Sequence, residues 1–213
     1  MRSLALSPGI ARTATSPDLG ALTVVAATGM EARVVQHAVP RVRVVEGGVN
    51  LARVNASGLG DVVISCGLAG ALAPDLPTGS VVIPDHVLRP DGTLLECDDE
   101  LVSRFDAAAR RLGRVPARGA LVTTQDLITG SARGAWAQRG YIAVDMETGF
   151  IQAKRVATVR VVLDTPEREL SDAWLRPWTV FTRPDSWGQV LWVALEAPRC
   201  ARLAAAVLAE ALH

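Results

Sequence analysis

Four short runs of apolar, largely β-branched residues follow one another along the chain: residues 22–27 (LTVVAA), 42–45 (VRVV), 61–65 (DVVIS) and 80–83 (SVVI). They lack the strict alternation of a strand with one wet face, which is the pattern of strands covered on both sides. Each stops at a turn signal: Thr28-Gly29, Gly47-Gly48, the small-residue stretch Gly67-Leu68-Ala69-Gly70, and Pro84. Buried strands need helices to cover them, and helical periodicity appears at residues 98–112. There Leu101, Val102, Phe105, Ala109 and Leu112 form one stripe, with Asp98 or Asp99 as N-cap and Gly113 beyond the end. Residues 119–123 read as a strand, 131–138 as a short helix and 142–144 as a strand running into Asp145-Met146-Glu147. Residues 148–155 then read as helix and 157–163 as a strand ending in Asp164-Thr165-Pro166. Residues 198–212 read as a helix with Pro198 in its first turn and Leu203, Val207, Leu208 and Leu212 on one side.

Strands and helices alternate, so the fold class is α/β: a three-layer α/β/α domain with a mixed, mostly parallel central sheet. The 213 residues fit one core, with residues 1–20 a loose lead-in and 21–213 the domain. Twenty-two basic residues balance 22 acidic ones, which argues against nucleic acid as a partner, since phosphates demand a basic surface. No apolar run approaches the roughly 20 residues needed to cross a bilayer, and residues 1–18 lack the apolar centre of a signal peptide. Cys66, Cys97 and Cys200 are widely spaced, and His37, His86 and His213 are scattered. Neither a disulfide framework nor a zinc site is expected, and a reducing cytoplasm is the simplest location.

In open α/β sheets ligands bind beyond the carboxyl ends of strands, which selects four places. In Thr28-Gly29-Met30-Glu31-Ala32-Arg33, Arg33 either fixes a phosphate or carboxylate or is a solvated helix residue. The stretch Cys66 to Leu72 either brings backbone N–H groups to an anion or is a plain strand-to-helix turn. Asp145 and Glu147 share a face if the backbone is extended and diverge if a helix begins there. A buried Glu147 accepts two hydroxyl donors of a sugar diol, whereas at a helix start Asp145 is an N-cap and Glu147 a first-turn acid. Asp164 either shares a proton with a heteroaromatic nitrogen or is a turn residue before Thr165-Pro166.

Taken in order, the stretches ATGMEARVV, DVVISCGLAGALAPDLPTGSVVIPD, VTTQDLITGS, VDMET and VRVVLD resemble the nucleoside phosphorylase and nucleosidase superfamily, and they span most of the chain. Within it the Glu-Ala-Arg of residues 31–33, Leu68 and the Val-Asp-Met-Glu segment look most like the hopanoid-associated phosphorylase branch. The resemblance implies an enzyme that cleaves the N-glycosidic bond of a purine (adenine) nucleoside by phosphorolysis, with adenosylhopane as a substrate. Hydrolysis of the methylthioadenosine/S-adenosylhomocysteine type and a nucleoside-binding pseudoenzyme are the alternatives. It implies that Glu147 binds the ribose hydroxyls, Met146 packs on the sugar and Asp164 serves purine N7. Gly29 and Arg33 would lie on the anion side beside Gly67, Leu68, Ala69 and Gly70, and Leu127 and Ile128 against the base. No metal or organic cofactor is implied. Phosphate is the expected co-substrate and a homo-oligomer the expected assembly. The sequence departs from the family's phosphorylases at Leu68, where a hydroxyl is usual, and at Ser65, where many carry Arg; Leu127 replaces a stacking aromatic. Five Trp, four of them in residues 174–192, suggest either core packing or an apolar wall or subunit contact.

Overall fold

The computed structural model describes residues 22–55, 58–170 and 187–213. Strand β1 (Leu22–Ala26) is buried along its whole length. It pairs in parallel with β2 (Arg43–Glu46) on one side and with β3 (Val62–Ala71) on the other. β4 (Val81–Val82), β5 (His86–Leu88), β6 (Leu94–Glu96), β7 (Ala120–Thr123), β8 (Tyr141–Asp145) and β9 (Arg155–Asp164) complete one mixed sheet. Its path runs β2-β1-β3-β8-β7-β5-β6, with β9 parallel to β3 and β4 antiparallel to β9. The helices α1 (Gly29–Ala38), α2 (Asp99–Arg111), α3 (Ser131–Gln138) and α4 (Trp187–Leu212) flank the sheet. α4 packs on α1, α2, β3 and β9, and α3 packs on β8. None of the helices among the described residues is long and apolar enough to cross a membrane.

The central feature for function is the length of β3. β1 ends opposite Ser65, but β3 continues to Ala71, where β8 meets it antiparallel at Gly70 and Ala71. The stretch 67–70, expected as a loop, is therefore strand, paired with β9 from Gly67↔Arg160 to Gly70↔Asp164 across a register shift between Ala69 and Gly70. Small side chains there serve close approach rather than a turn. A Cβ on Gly67 would sit 2.5 Å from a Glu31 carboxylate oxygen and 3.0 Å from an Arg160 nitrogen. The edge of β3 between the end of β1 and the arrival of β8 is the place left open.

Two helical expectations change. Residues 148–155 form only the single 3-10 turn Thr148–Phe150 before β9 begins at Arg155. Asp145 explains the tight turn: its Oδ2 accepts from the Thr148 N–H (3.2 Å) and from the Thr148 hydroxyl. Gly149 follows with no room for a Cβ, which would lie 2.8 Å from Cβ of Thr123. The last helix, expected from residue 198, runs from Trp187 with Pro198 inside it. Proline removes one rung of the hydrogen-bond ladder, but Trp192 and Ala197 before it and Cys200, Ala204, Val207 and Leu208 after it are all buried, and that packing holds the helix through it. In α2, Asp98 is the N-cap, accepting from Leu101 N at 3.0 Å, while Leu112 falls outside the helix and is exposed. A β5–β6 hairpin stands where none was expected. Its turn is fixed by Asp91, which accepts from both the N–H (2.9 Å) and the hydroxyl (2.7 Å) of Thr93.

Of the tryptophans, Trp174 and Trp178 and the side chain of Trp187 lie outside the described residues. Trp136 meets Tyr141 edge-on at 5.3 Å and carries the Arg139 guanidinium at 4.0 Å. Trp192 is buried beneath Arg168 at 4.3 Å.

Candidate active site

A cavity of about 210 Å³ opens beside the free edge of β3. Its lining includes Thr28 and Glu31 from the β1–α1 junction, Leu68, Ala69 and Gly70 of β3, and Leu127, Ile128 and Arg133 from the approach to α3. Asp145, Met146 and Glu147 at the end of β8, Asp164 at the end of β9, and Leu170 close it. Nine of the residues expected from sequence thus converge: Leu68, Ala69, Gly70, Leu127, Ile128, Asp145, Met146, Glu147 and Asp164.

Three do not line it. Gly67 lies behind, where its lack of a side chain lets Glu31 and Arg160 approach β3. Gly29 and Arg33 face a separate surface depression with Ala32, Gln36, Val44 and Glu46. Arg33 is exposed. The helix begins at Gly29, so positions 31 and 33 are separated by roughly 200° around its axis and cannot both face the cavity. Glu31 takes the inward position, and the expected anion site at Arg33 is replaced by a carboxylate.

Glu31 is fixed by two sets of bonds. It closes a capping box with Thr28: its Oε2 accepts from Thr28 N (2.9 Å) and Thr28 Oγ1 (2.7 Å), while Thr28 Oγ1 accepts from Glu31 N at 3.3 Å. Its Oε1 accepts from Leu68 N at 3.1 Å. The backbone N–H expected to hold an anion is therefore already bound to a carboxylate of the protein. At 3% exposure, Glu31 is a buried acid on the cavity wall.

The sequence reading also missed Arg160, which lies in the middle of β9 and is 1% exposed. Its Nη2 lies 2.6 Å from Asp145 Oδ2 and donates to Ser65 Oγ (2.5 Å) and Thr148 Oγ1 (2.9 Å). Its Nη1 lies 3.3 Å from Glu147 Oε2 and donates to Leu68 O at 3.2 Å. Nε donates to Thr158 Oγ1 at 3.2 Å. Asp145 also accepts from Thr123 Oγ1 at 2.5 Å, so its carboxylate is spent on holding Arg160 and the Thr148 turn. Burial is the main force that lifts the Glu147 carboxyl to about 8. Arg160 opposes it, and the charges of Asp145 and Glu31 add to it.

At the far end of the cavity Asp164 pairs with Arg133, which is itself 2% exposed. Burial raises Asp164, while Arg133 and the Leu170 backbone pull it back. Arg133 is steadied by Ala71 O (2.8 Å) and Ile128 O (3.0 Å), with Glu169 Oε1 3.3 Å from its Nε. The cysteines offer no nucleophile: burial pushes Cys66 and Cys97 up to about 12 and Cys200 to about 11.

The family model of the phosphorylase superfamily matches residues 13–169, and the chain belongs to that superfamily. Among solved structures it is similar to the S-adenosylhomocysteine nucleosidase of Streptococcus pyogenes in complex with 5-methylthiotubericidin. The TM-score is 0.70 at 16% identity, covering 90% of this chain and 95% of that one. It is also similar to the 5′-methylthioadenosine/S-adenosylhomocysteine nucleosidase of Neisseria meningitidis in complex with methylthio-immucillin-A, with a TM-score of 0.68 at 18% identity over 89% and 97% of the two chains. The futalosine hydrolase of Helicobacter pylori superposes with a TM-score of 0.66 at 12% identity over 89% and 96%. These likenesses establish a shared fold, the mixed, mostly parallel sheet with flanking helices.

Proposed function

We propose that this protein hydrolyses the N-glycosidic bond of a purine nucleoside. The observation that carries the reading is the pairing of two buried acids, Glu31 and Glu147, around Arg160 at one end of a single cavity, with a third acid, Asp164, at the other. Glu147 accepts the ribose hydroxyls and fixes the sugar. Glu31, beside it, takes a proton from a water that attacks C1′. The electron pair of the C1′–N9 bond leaves with the purine, and Asp164 supplies the proton that the base gains at N7. The products are the free sugar and the free base.

The nucleophile is water rather than phosphate. Glu31, Asp145 and Glu147 cluster about one guanidinium that is already bonded at every nitrogen. A phosphate dianion at that place would meet three carboxylates without a cation of its own. For the 5′ side of the sugar, the apolar wall of Val49, Leu68 and Met146 favours an apolar substituent, the adenosylhopane implied by the sequence resemblance among them.

The test is release of free base from a panel of 5′-substituted and unsubstituted purine nucleosides in phosphate-free buffer. Release that is unchanged by added phosphate supports the reading. A strict requirement for phosphate, with sugar 1-phosphate as product, overturns it.

A further inference from the structure

Two anomalies fall on one residue beside the cavity. Asn50 and Leu51 are the only residues other than glycine with a positive φ among the described residues, at 56° and 53°. Left-handed backbone is strained for any residue with a Cβ, though less for asparagine than for leucine. Asn50 Oδ1 is also buried and has no hydrogen-bond partner among the described residues, which is a cost for an amide oxygen. A glycine at position 50 would adopt the same backbone freely and leave no oxygen unpaired. What glycine cannot supply is the side-chain donor.

That donor and the backbone N–H of the same residue reach two different walls of the cavity. Asn50 N–H donates to Met146 O at 3.1 Å, and Asn50 Nδ2 donates to Gln125 O at 3.0 Å. A carbonyl oxygen only accepts, so the amide nitrogen is the atom that faces Gln125. The residues around Asn50 line the cavity: Val49 before it, Met146 across from it, and Thr124 and Asp126 on either side of Gln125. Met146 leads into Glu147 at the sugar end, and residues 124–126 lead into Leu127 and Ile128. One side chain and its own backbone thus join the wall that carries Met146 to the wall that carries Leu127. Leu51, 4% exposed, buries the back of the turn and holds it in its strained form.

We propose that Asn50 is a positioning residue: a clip that fixes the spacing of the Met146 and Leu127 walls and so holds the cavity ready for a nucleoside before one arrives. The inference deepens the nucleoside reading and rests on it. Strain accepted on folding lowers the cost of ordering the walls on binding. The two hydrogen bonds reach neither Glu31 nor Asp164, so the clip acts on binding rather than on the breaking of the C1′–N9 bond. The walls it spaces press on sugar and base in the ground state and the transition state alike. Its loss therefore raises KM and leaves kcat.

Two measurements test it. The first is the kinetics and Tm of Asn50→Gly, with the purine nucleoside that the wild type cleaves fastest. KM rises about tenfold, the worth of one hydrogen bond, while kcat stays within about twofold and Tm within about 3 °C. Asn50→Asp tolerates the same backbone but turns a carboxylate on the Gln125 carbonyl, and its KM rises at least as far. A KM within about twofold of wild type in Asn50→Gly, a fall in kcat at unchanged KM, or a larger loss of Tm overturns the inference while leaving hydrolysis standing. The second needs no substrate: amide hydrogen exchange of the free protein. Residues 124–128 exchange about tenfold faster in Asn50→Gly, with β1 and β9 unchanged. Unchanged exchange at 124–128 overturns the clip. A wild type that cleaves no purine nucleoside contradicts the nucleoside reading itself, and the inference falls with it.

Discussion

The two ends of the cavity are built from the same parts in different proportions. At the sugar end one buried guanidinium, Arg160, answers three carboxylates: Asp145, Glu147 and Glu31. At the base end one buried guanidinium, Arg133, answers Asp164 directly, with Glu169 more exposed behind it. The first end has surplus negative charge, and Glu147 is forced up to about 8. The second is closer to balance. A surplus of acceptors suits hydroxyls and an attacking water. The contrast lies in the arithmetic of buried charge rather than in the residue types.

Breaking the sugar end has the largest expected effect. Glu31→Gln removes the proton acceptor and lowers kcat by about a thousandfold, with the fold retained because the amide oxygen still accepts one bond of the capping box. Single-turnover kinetics and circular dichroism read the two quantities separately. Arg160→Met leaves three buried acids without their cation and costs about 3–5 kcal/mol of stability, measured by urea unfolding. At the base end Asp164→Asn costs about a hundredfold in kcat, since an amide is a far weaker acid toward N7.

The charge surplus also makes a pH prediction. Glu147 holds its proton in the folded protein up to about 8, against 4.5 when unfolded. Between those values the native state binds one proton more than the unfolded state, so stability falls as pH rises and levels off above about 8. Glu147→Gln flattens that slope and raises the Tm of the free protein by roughly 3 °C at pH 8.5, with no gain at pH 5. The same variant loses ribose binding. In the wild type kcat/KM climbs with pH toward about 8, as the carboxylate that accepts the hydroxyls forms. The smallest effect belongs to Arg33→Ala, which leaves kcat/KM within about twofold, since the side chain faces solvent on the other side of α1.

The buried strands were legible because apolar runs bounded by Gly and Pro leave few alternatives, and the limits of β1, β7 and α3 lie within a residue or so of those expected. Glu147, Asp164 and Met146 were legible from their place at strand ends. Arg33 was not, because choosing between two charged residues two positions apart requires knowing where the helix begins. The signal for it was present: Thr28-x-x-Glu31 is a capping box, which sets the start at Gly29 and points Glu31 inward. Arg160 had a signal as well, since a charge in the middle of an apolar strand must have buried partners. The stretch 67–70 was misread because Gly-rich sequence has two meanings, a turn or a close approach, and only the neighbours on β9 and α1 separate them. The β5–β6 hairpin was missed although Pro90-Asp91-Gly92 is a turn sequence with a mechanism. Arg133 had no local signal. Apart from Ile128 O, its hydrogen-bond partners among the described residues, Asp164 and Ala71, lie 31 and 62 residues away.

The most direct test of the charge arithmetic is cleavage of a panel of purine nucleosides in phosphate-free buffer and again with phosphate added, run in parallel on wild type, Glu31→Gln and Arg33→Ala. The account predicts free base and free sugar at the same rate in both buffers, lost in Glu31→Gln and kept in Arg33→Ala. Cleavage that appears only with phosphate, gives ribose 1-phosphate and disappears in Arg33→Ala would contradict it.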